Sequence, residues 1–258
     1  MFSVFYTIIH FMPILSEISN LPPLEIAQNK KNIKAATKIL SKELEELQLK
    51  MFAERKRSLL VILQGMDASG KGGTIRKVFK HVNPAGCSVR SFKKPSDEEM
   101  AHDFLWRIHQ HAPPKGIIQL FDRSHYEDVL IQRVNKWIDE ETVYNRFEQI
   151  NNFEKLLQDT GCTVLKFYLH VSYDEQLVRL EERMTNPQKY WKHNAGDFEE
   201  RQKWTQYMQA YEDVFAHCNK PEWHIIPSDK NWYKEYLIAQ TMVHTLKSFD
   251  MQWPSLKK

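Results

Sequence analysis

The sequence has few of the features expected of a secreted or nucleic-acid-coating protein. Its 258 residues include only three cysteines, Cys87, Cys162 and Cys218, and no C-x-x-C pair. This argues against a disulfide framework or a zinc site and favours reduced thiols in the cytoplasm. The formal net charge is only +3, so bulk charge does not predict a polyanion such as a nucleic acid as partner.

The apolar segment at the start is too short for a membrane span. Residues 1–15, MFSVFYTIIHFMPIL, also lack the basic n-region and the small-residue cleavage site of a signal peptide. We therefore expect no membrane partner. Two interpretations stay open: translation starts at Met12, or residues 1–11 pack against the fold.

Glycine is scarce as well, yet four of the eight glycines lie within residues 65–74, GMDASGKGGT. This stretch follows the apolar run 59–63, which predicts a buried strand. The spacing is that of a P-loop, in which backbone N–H groups face phosphate oxygens and the lysine reaches the outer phosphates. The alternative is a glycine-rich turn with a surface lysine. The residues predicted to bind phosphate are Gly65, Ala68, Ser69, Gly70, Lys71, Gly72, Gly73 and Thr74.

Two acids indicate a metal ion at this loop. Gly72 stands where most P-loops have a hydroxyl that holds magnesium, and Asp67 is an extra carboxylate inside the loop. An acid beside a triphosphate repels it unless a cation lies between them, so we predict that Asp67 binds the metal. Asp122 ends the third apolar strand, where a second metal-binding acid is expected at the same edge of the sheet. The alternative for Asp122 is a capping acid.

Basic side chains follow the third strand. Arg123 and Arg133 carry guanidinium groups that match phosphate oxygens in pairs, so both are candidate phosphate ligands. For either residue the alternative is a surface ion pair.

A further basic region extends from Arg179 to Asp197. Pro187 should end the first helix there, and Asp197 is predicted to cap a second helix that continues to Phe215. Two helices joined by a basic turn are typical of a phosphate-clamping lid, although a solvated face gives the same pattern. We expect the aromatic residues of the second helix to pack rather than to stack on bases.

Alternating strands and helices predict a parallel sheet covered on both faces. The predicted class is α/β, a P-loop kinase-like three-layer sandwich with five parallel strands and a helical lid at about 183–200. Residues 1–55 form an N-terminal segment with an amphipathic helix, and residues 56–250 form the P-loop domain. The predicted strands are 59–63, 87–92, 116–121, 163–171 and 223–226, and the main predicted helices are 32–55, 96–111, 140–158, 197–215 and one ending near 249.

Taken together, these segments resemble the polyphosphate kinase 2 family, the polyphosphate-driven nucleotide kinases. The resemblance covers residues 55–248 in the family's order. The segment SHYEDVL at 124–130 resembles the corresponding segment of the family branch that accepts both nucleoside mono- and diphosphates. Asp122, however, stands where that branch often has Asn. The segments that carry the resemblance include GMDASGKGGT at 65–74, NPAGCSVRSFKKPSDEE at 83–99, HDFLWR at 102–107, FDRSHYEDVLIQRV at 121–134 and QINNFEKLL at 149–157.

The resemblance implies reversible transfer of the terminal phosphoryl group of inorganic polyphosphate to AMP or ADP. It implies Mg²⁺, with Mn²⁺ as a substitute, adenine or guanine nucleotides as substrates, and a homo-oligomer, a dimer or a tetramer. Asp67, Lys71, Asp122 and Arg123 would be catalytic, and both aspartates would bind the metal. The remaining phosphate-binding residues that it implies are Arg133, Arg183, Lys189 and Lys192.

Two other functions remain open at this point. An ATP-dependent nucleoside monophosphate kinase shares the P-loop, the parallel sheet and a lid that carries arginine. A non-catalytic nucleotide-binding P-loop module would bind without turnover. Activity with ATP plus AMP, but not with polyphosphate, would select the first, and binding without turnover from any donor would select the second.

Overall fold

The computed structural model describes residues 14–256, which form a five-stranded sheet with helices on both faces. Every neighbouring pair of strands is parallel, in the order β2-β3-β1-β4-β5. This confirms the predicted fold class. The prediction about residues 1–11 and Met12 concerns residues outside the described range.

The strands are β1 (Ser58–Gln64), β2 (Cys87–Ser91), β3 (Ile118–Asp122), β4 (Cys162–His170) and β5 (Trp223–Pro227). The helices are α1 (Leu24–Gln28), α2 (Lys30–Glu54), α3 (Lys71–Val78), α4 (Asp97–Met100), α5 (Trp106–His109), α6 (Ile131–Val134), α7 (Glu140–Asp159), α8 (Tyr173–Thr185), α9 (Gly196–Gln202), α10 (Trp204–His217) and α11 (Asn231–Lys247).

Strand β1 lies at the centre of the sheet and is buried along its whole length. Because successive side chains of a strand point to opposite faces, β1 contributes to two cores. Leu60 and Ile62 join the core beneath α7 and α10. Leu59, Val61 and Leu63 join the core beneath α2, α3 and α11. The loop that follows β1 is therefore anchored by packing on both faces.

The register of the sheet brings the ends of β1 and β3 together. Leu63 pairs with Asp122, the last residue of β3. The next backbone N–H, that of Arg123, donates to the carbonyl oxygen of Leu63 at 3.1 Å. The P-loop and the Asp122–Arg123 pair consequently lie at the same edge, as the sequence predicts.

Helix α2 packs beside α11, and it begins and ends within two residues of the predicted bounds. Its buried Leu44 and Met51 belong to the same core as β1, so the helix covers the sheet rather than standing apart from it. It ends at Glu54, and the next residue, Arg55, has a left-handed φ of 53°. Among residues 14–256, no helix combines the length and the apolar composition needed to cross a bilayer.

The helix predicted over 96–111 is wrong in its extent. The predicted capping box is present, since Ser96 and Glu99 exchange side-chain and backbone hydrogen bonds at the start of α4. The chain then leaves the helix and forms a turn, in which the carboxylate of Asp103 accepts from the backbone N–H of Leu105 at 2.9 Å. This local bond competes with helix continuation, so two short helices replace one long helix.

The cap predicted at Asp197 is also wrong. Helix α8 ends at Thr185 before Pro187, as expected, and a 3₁₀ turn follows over Pro187–Lys192. Asp197 then lies inside the first turn of α9, and its carboxylate pairs with Arg183 instead of capping. The helical stretch is interrupted at Lys203, where α10 starts separately.

A charged pair is buried in the core beneath α7. The ammonium group of Lys166 on β4 donates to a carboxylate oxygen of Glu154 at 2.7 Å, to the hydroxyl of Tyr126 at 3.0 Å and to the carbonyl of Cys218 at 2.8 Å. Both charged side chains are fully buried. Burial alone would raise the pKa of Glu154, but the charge of Lys166, the neighbouring His125 and the hydrogen bonds from both together lower that pKa. Removal of one partner would therefore leave the other buried without its pair.

Candidate active site

The loop between β1 and α3 has the backbone of an anion-binding turn. Gly65 and Gly70 have φ angles of 143° and 102°, and Ala68 is also left-handed at 62°. The loop leads directly into the N-terminus of α3, where free backbone N–H groups favour negative charge. The hydroxyls of Ser69 and Thr74 are buried and have no hydrogen-bond partner among the described residues. The loop thus contains unused polar groups next to a helix N-terminus.

Lys71 is buried at the start of α3 and is folded back over the loop. Its ammonium group donates to the carbonyl of Gly65 at 2.6 Å and to that of Met66 at 3.3 Å. Burial lowers its pKa, the charge of Arg123 lowers it further, and nearby carboxylates partly oppose both effects. The P-loop lysine therefore lies among the acids that the sequence assigned to the same site.

Asp67 and Arg123 form an ion pair across the two strand ends. Burial by itself would raise the pKa of Asp67, but the charges of Arg123, Lys71 and Arg183, together with the hydrogen bond from Arg123, outweigh burial and lower that pKa. The carboxylate is therefore ionised at neutral pH. In return, Asp67 raises the pKa of Arg123. Arg123 adopts a left-handed φ of 64°, a strained conformation that tends to persist where tertiary contacts hold it.

Asp122 lies half-buried at the carboxyl end of β3. One of its carboxylate oxygens would be 4.0 Å from a Cβ atom added at Gly72, so the acid faces the start of α3. Among the described residues, no cluster of three or more His, Cys, Asp or Glu side chains forms a complete metal cage. Mg²⁺ suits such a site, since it is usually held by one or two carboxylates together with waters and substrate phosphates. Asp67 and Asp122 fit that pattern.

The lid residues are paired with acids in the structure. Arg183 on α8 contacts the carboxylate of Asp197 on α9. Lys189, in the 3₁₀ turn, contacts Glu182. Both phosphate-binding candidates are therefore neutralised by carboxylates that a phosphate chain would have to replace.

Lys192 is the last residue of the 3₁₀ turn and lies near cations of the lid and of α3. Its pKa is lowered by partial burial and by the charges of Arg76, Arg183 and Lys189, and it is raised by Asp122. Its charge thus lies within electrostatic range of an acid on β3. The structure brings this part of the lid to the same region as the P-loop.

Arg133 is placed differently from the other candidates. It lies on α6, and its guanidinium group donates to both carboxylate oxygens of Glu140, at 2.9 and 2.6 Å. A third bond, of 2.6 Å, joins it to Asp213 on α10. These contacts connect α6 to α7 and α10, so phosphate binding by Arg133 stays a prediction and would require these pairs to open.

Comparison with known proteins shows the family to which the chain belongs. The sequence profile described as "Polyphosphate kinase 2 (PPK2)" matches residues 27–254. The chain belongs to the polyphosphate kinase 2 family. It is therefore a phosphotransferase of the kinase type.

Relatives in the polyphosphate kinase 2 family cover most of the chain. A Meiothermus ruber protein named AMP/ADP-polyphosphate phosphotransferase is 46% identical over 221 residues, which are 85% of this chain and 83% of that protein. An ADP-polyphosphate phosphotransferase of Rhodopseudomonas palustris is 40% identical over 225 residues, 82% of this chain and 78% of that protein. A crystal structure of polyphosphate kinase 2 from Arthrobacter aurescens is similar with a TM-score of 0.85 and 40% identity, covering 89% of this chain and 83% of that one.

Sequence reasoning gave no role to Glu127, which lines the cleft of this polyphosphate kinase 2 site beside Asp67 and Arg123. Burial raises the pKa of Glu127, and the charge of Asp67 raises it further, while Arg123 and Lys71 oppose the shift. Glu127 lies in the 3₁₀ turn immediately after β3. Its position just beyond a strand end that already carries Asp122 was the available signal.

A contact between α8 and the P-loop was also missed. The side-chain amide of Gln176 on α8 donates to the carbonyl of Asp67 at 3.0 Å. Arg201 on α9 donates to the side-chain oxygen of the same Gln176 at 2.9 Å. Tyr207 and Tyr211 are buried, as expected for packing residues, but they also line the cleft. Nothing in the local sequence relates Gln176 to a loop 109 residues earlier.

Proposed function

We propose that this chain transfers the terminal phosphoryl group of inorganic polyphosphate to AMP and ADP. The observation that carries the proposal is the convergence of Lys71, the Asp67–Arg123 pair and Asp122 at one edge of the sheet. The similarity to an AMP/ADP-polyphosphate phosphotransferase over most of both chains supports the choice of substrates. The relatives include one named for both AMP and ADP and one named for ADP, so acceptance of both nucleotides is part of the proposal.

The chain's own residues supply positioned positive charge rather than a covalent nucleophile. Phosphoryl transfer passes through a loose transition state whose charge is spread over the oxygens, so fixed cations and N–H groups stabilise it. The N–H groups of the P-loop would hold the phosphates, and Lys71 would turn from its carbonyl partners toward them. Arg123 would bind the transferred group once phosphate competes with Asp67.

Asp67 and Asp122 would hold Mg²⁺, or Mn²⁺ in its place. A bound divalent cation neutralises charge on neighbouring phosphate oxygens. This assignment is supported by the ionised state of Asp67 and by the position of Asp122 facing the start of α3. Arg183, Lys189 and Lys192 would then bind the polyphosphate chain, since each is a cation on the lid side of the site.

A single set of reactions tests the proposal. Purified protein is incubated with Mg²⁺ and polyphosphate plus AMP or ADP, and the nucleotides are resolved by chromatography. We expect ADP and ATP to form from AMP, and ATP from ADP. A parallel reaction with ATP plus AMP and no polyphosphate tests the nucleoside monophosphate kinase. Product in that reaction alone would overturn the proposal, and guanine nucleotides in the same assay measure base selectivity.

We further propose a cytoplasmic homo-oligomer, a dimer or a tetramer. The location is supported by Cys87, Cys162 and Cys218, which are all free thiols. Assembly is supported by apolar side chains exposed on α2, where Ile39 is 68% and Leu49 is 39% exposed. Light scattering coupled to size exclusion measures the subunit number, and a mass of one chain at micromolar concentration would contradict the assembly.

A further inference from the structure

Two carbonyl groups of the P-loop, those of Ala68 and Ser69, accept hydrogen bonds from two cations. The guanidinium group of Arg179 donates to the carbonyls of Ala68 at 3.1 Å and of Ser69 at 3.0 Å. The ammonium group of Lys234 donates to the same Ser69 carbonyl at 2.9 Å. The two cations come from α8 and α11, 110 and 165 residues along the chain from Ser69. Two distant helices therefore converge on two consecutive peptide groups.

Arg179 joins this loop to a second one. Its other terminal nitrogen donates to the carbonyls of Ser228 at 2.7 Å and Asp229 at 3.1 Å, in the segment after β5. Its Nε donates to Glu175 at 2.9 Å. The planar donor group of an arginine serves all these acceptors at once, which a lysine could not do. The loop carbonyls are thus held in a fixed direction relative to β5.

Lys234 is an unusual cation because it is 1% exposed and has no carboxylate within ion-pair distance among residues 14–256. Its other hydrogen bond goes to the side-chain oxygen of Asn231 at 3.0 Å. A buried ammonium without a paired acid is costly, so a neutral residue would suit the fold better. An anion bound on the opposite side of the loop would offset that cost.

The charges around Lys234 are arranged to disfavour its proton when no anion is bound. Burial, followed by the charge of Arg179, lowers its pKa to about 7, and Lys71 adds to this effect. Glu235 on its own helix and Glu175 on α8 oppose it. A phosphate chain at the loop would favour the charged form, so anion binding and protonation should be linked.

The loop conformation itself needs external support. Ala68 has a left-handed φ of 62°, which is unfavourable for a residue with a side chain, and Gly70 has a φ of 102°. Such conformations persist where the surroundings over-determine them. A Cβ atom at Gly70 would collide with the ammonium group of Lys234, so the lysine fills the space directly behind that glycine.

We propose that Lys234, together with Arg179, is a positioning residue of the phosphoryl-transfer site. The two side chains hold the carbonyls of Ala68 and Ser69, so that the N–H groups of the P-loop face the phosphates. Lys234 also supplies positive charge to the loop on the side away from the phosphates. The inference rests on the proposed phosphoryl transfer. It assigns no contact between Lys234 and substrate. The role lies in the orientation of the loop that makes those contacts.

The test compares Lys234→Met, which removes donor and charge, with Lys234→Gln, which keeps a donor. The control is Lys247→Met, the same change at the exposed far end of α11, where the lysine pairs with Glu43. Steady-state rates with polyphosphate and ADP are measured alongside urea unfolding. We expect Lys234→Met to lose at least tenfold in kcat, Lys234→Gln to lose less, and the control to match wild type.

The unfolding midpoints separate positioning from structural support. A neutral side chain removes a buried charge, so we expect neither Lys234 variant to unfold at lower urea concentration than wild type. If Lys234→Met keeps more than half of the wild-type kcat, or if its activity falls only in proportion to its folded fraction, the inference is overturned. A KM effect without a kcat effect would also overturn it.

A binding measurement tests the charge without turnover. Tripolyphosphate is titrated calorimetrically into wild type and Lys234→Met at pH 7.5, in two buffers of different ionisation heat. We expect wild type to take up more protons on binding than the variant, by up to one proton per site. Equal proton uptake by wild type and Lys234→Met would refute the proposal that Lys234 supplies positive charge to the loop. If wild type binds tripolyphosphate but never transfers phosphoryl groups, the proposed function fails while this comparison still decides the role of Lys234.

Discussion

Replacing Lys71 by methionine should separate the chemistry of the site from the stability of the fold. Lys71 is 8% exposed, and its ammonium group makes two hydrogen bonds, to the carbonyls of Gly65 and Met66. In phosphoryl transfer it would stabilise charge on the outer oxygens. Loss of one such electrostatic donor typically costs about 10²–10³ in rate, or about 2.7–4 kcal/mol.

The effect on stability should be much smaller. Each hydrogen bond of a charged donor contributes about 1.5–3 kcal/mol. Against this stands the cost of burying the ammonium group, which is visible in the lowered pKa of Lys71. Methionine keeps most of the side-chain volume and removes that cost. We expect the free energy of unfolding to change by no more than about 2 kcal/mol in either direction, well below the change in activation free energy.

The assay measures kcat with polyphosphate and ADP, and the midpoint of thermal unfolding. The matched control is Lys77→Met, an exposed position less than two turns further along the same helix. Lys71→Met should lose at least a hundredfold in kcat and Lys77→Met less than twofold. If Lys71→Met retains more than half of the wild-type kcat, the lysine has no part in the transfer. A loss of activity that only parallels unfolding would refute the reasoning equally.

Three further predictions concern the metal, the lid and the core. Asp67→Asn and Asp122→Asn should each raise the Mg²⁺ concentration for half-maximal rate, because each removes a charged oxygen ligand; titrations that overlay the wild type would exclude the metal assignment. Joint replacement of Lys189 and Lys192 by alanine should raise KM for polyphosphate and steepen the loss of activity with salt, since two cations of the lid are removed. KM values within about twofold of wild type would indicate a solvated face. Lys166→Met should lower the free energy of unfolding in urea by about 3–5 kcal/mol, because the buried Glu154 loses its ion-pair partner. Neutralising Glu154 as well should restore most of the loss. A Lys166→Met variant as stable as wild type would contradict this prediction.

The elements that the sequence predicted well are those whose cause is local. The buried strand at 59–63, its loop and the following helix form one contiguous stretch, and hydrophobic periodicity with glycine spacing reports on all three. The helix predicted over 96–111 failed because Asp103 makes a short-range turn that competes with the helix. Periodicity does not register that competition.

The site was predicted only where its residues adjoin a strand end. Asp67 and Asp122 were expected to converge because parallel strands end at the same edge, and the register of β1 with β3 places them there. Arg133 matched a phosphate ligand by residue type, yet its donors are engaged by Glu140 and Asp213. Residue type states what a side chain can bind, whereas its neighbours decide what it does bind.

By itself the sequence determined the α/β architecture and the P-loop, because these follow from contiguous patterns and from the residue types they contain. Its resemblance to the polyphosphate kinase 2 family implied the phosphoryl transfer. Only the tertiary structure decided which charges face each other. The pairing of Arg183 with Asp197 and the approach of Lys234 to Ser69 join helices far apart in the chain. Such contacts depend on how the helices cross the sheet, and the energies of many weak packing interactions set that geometry together.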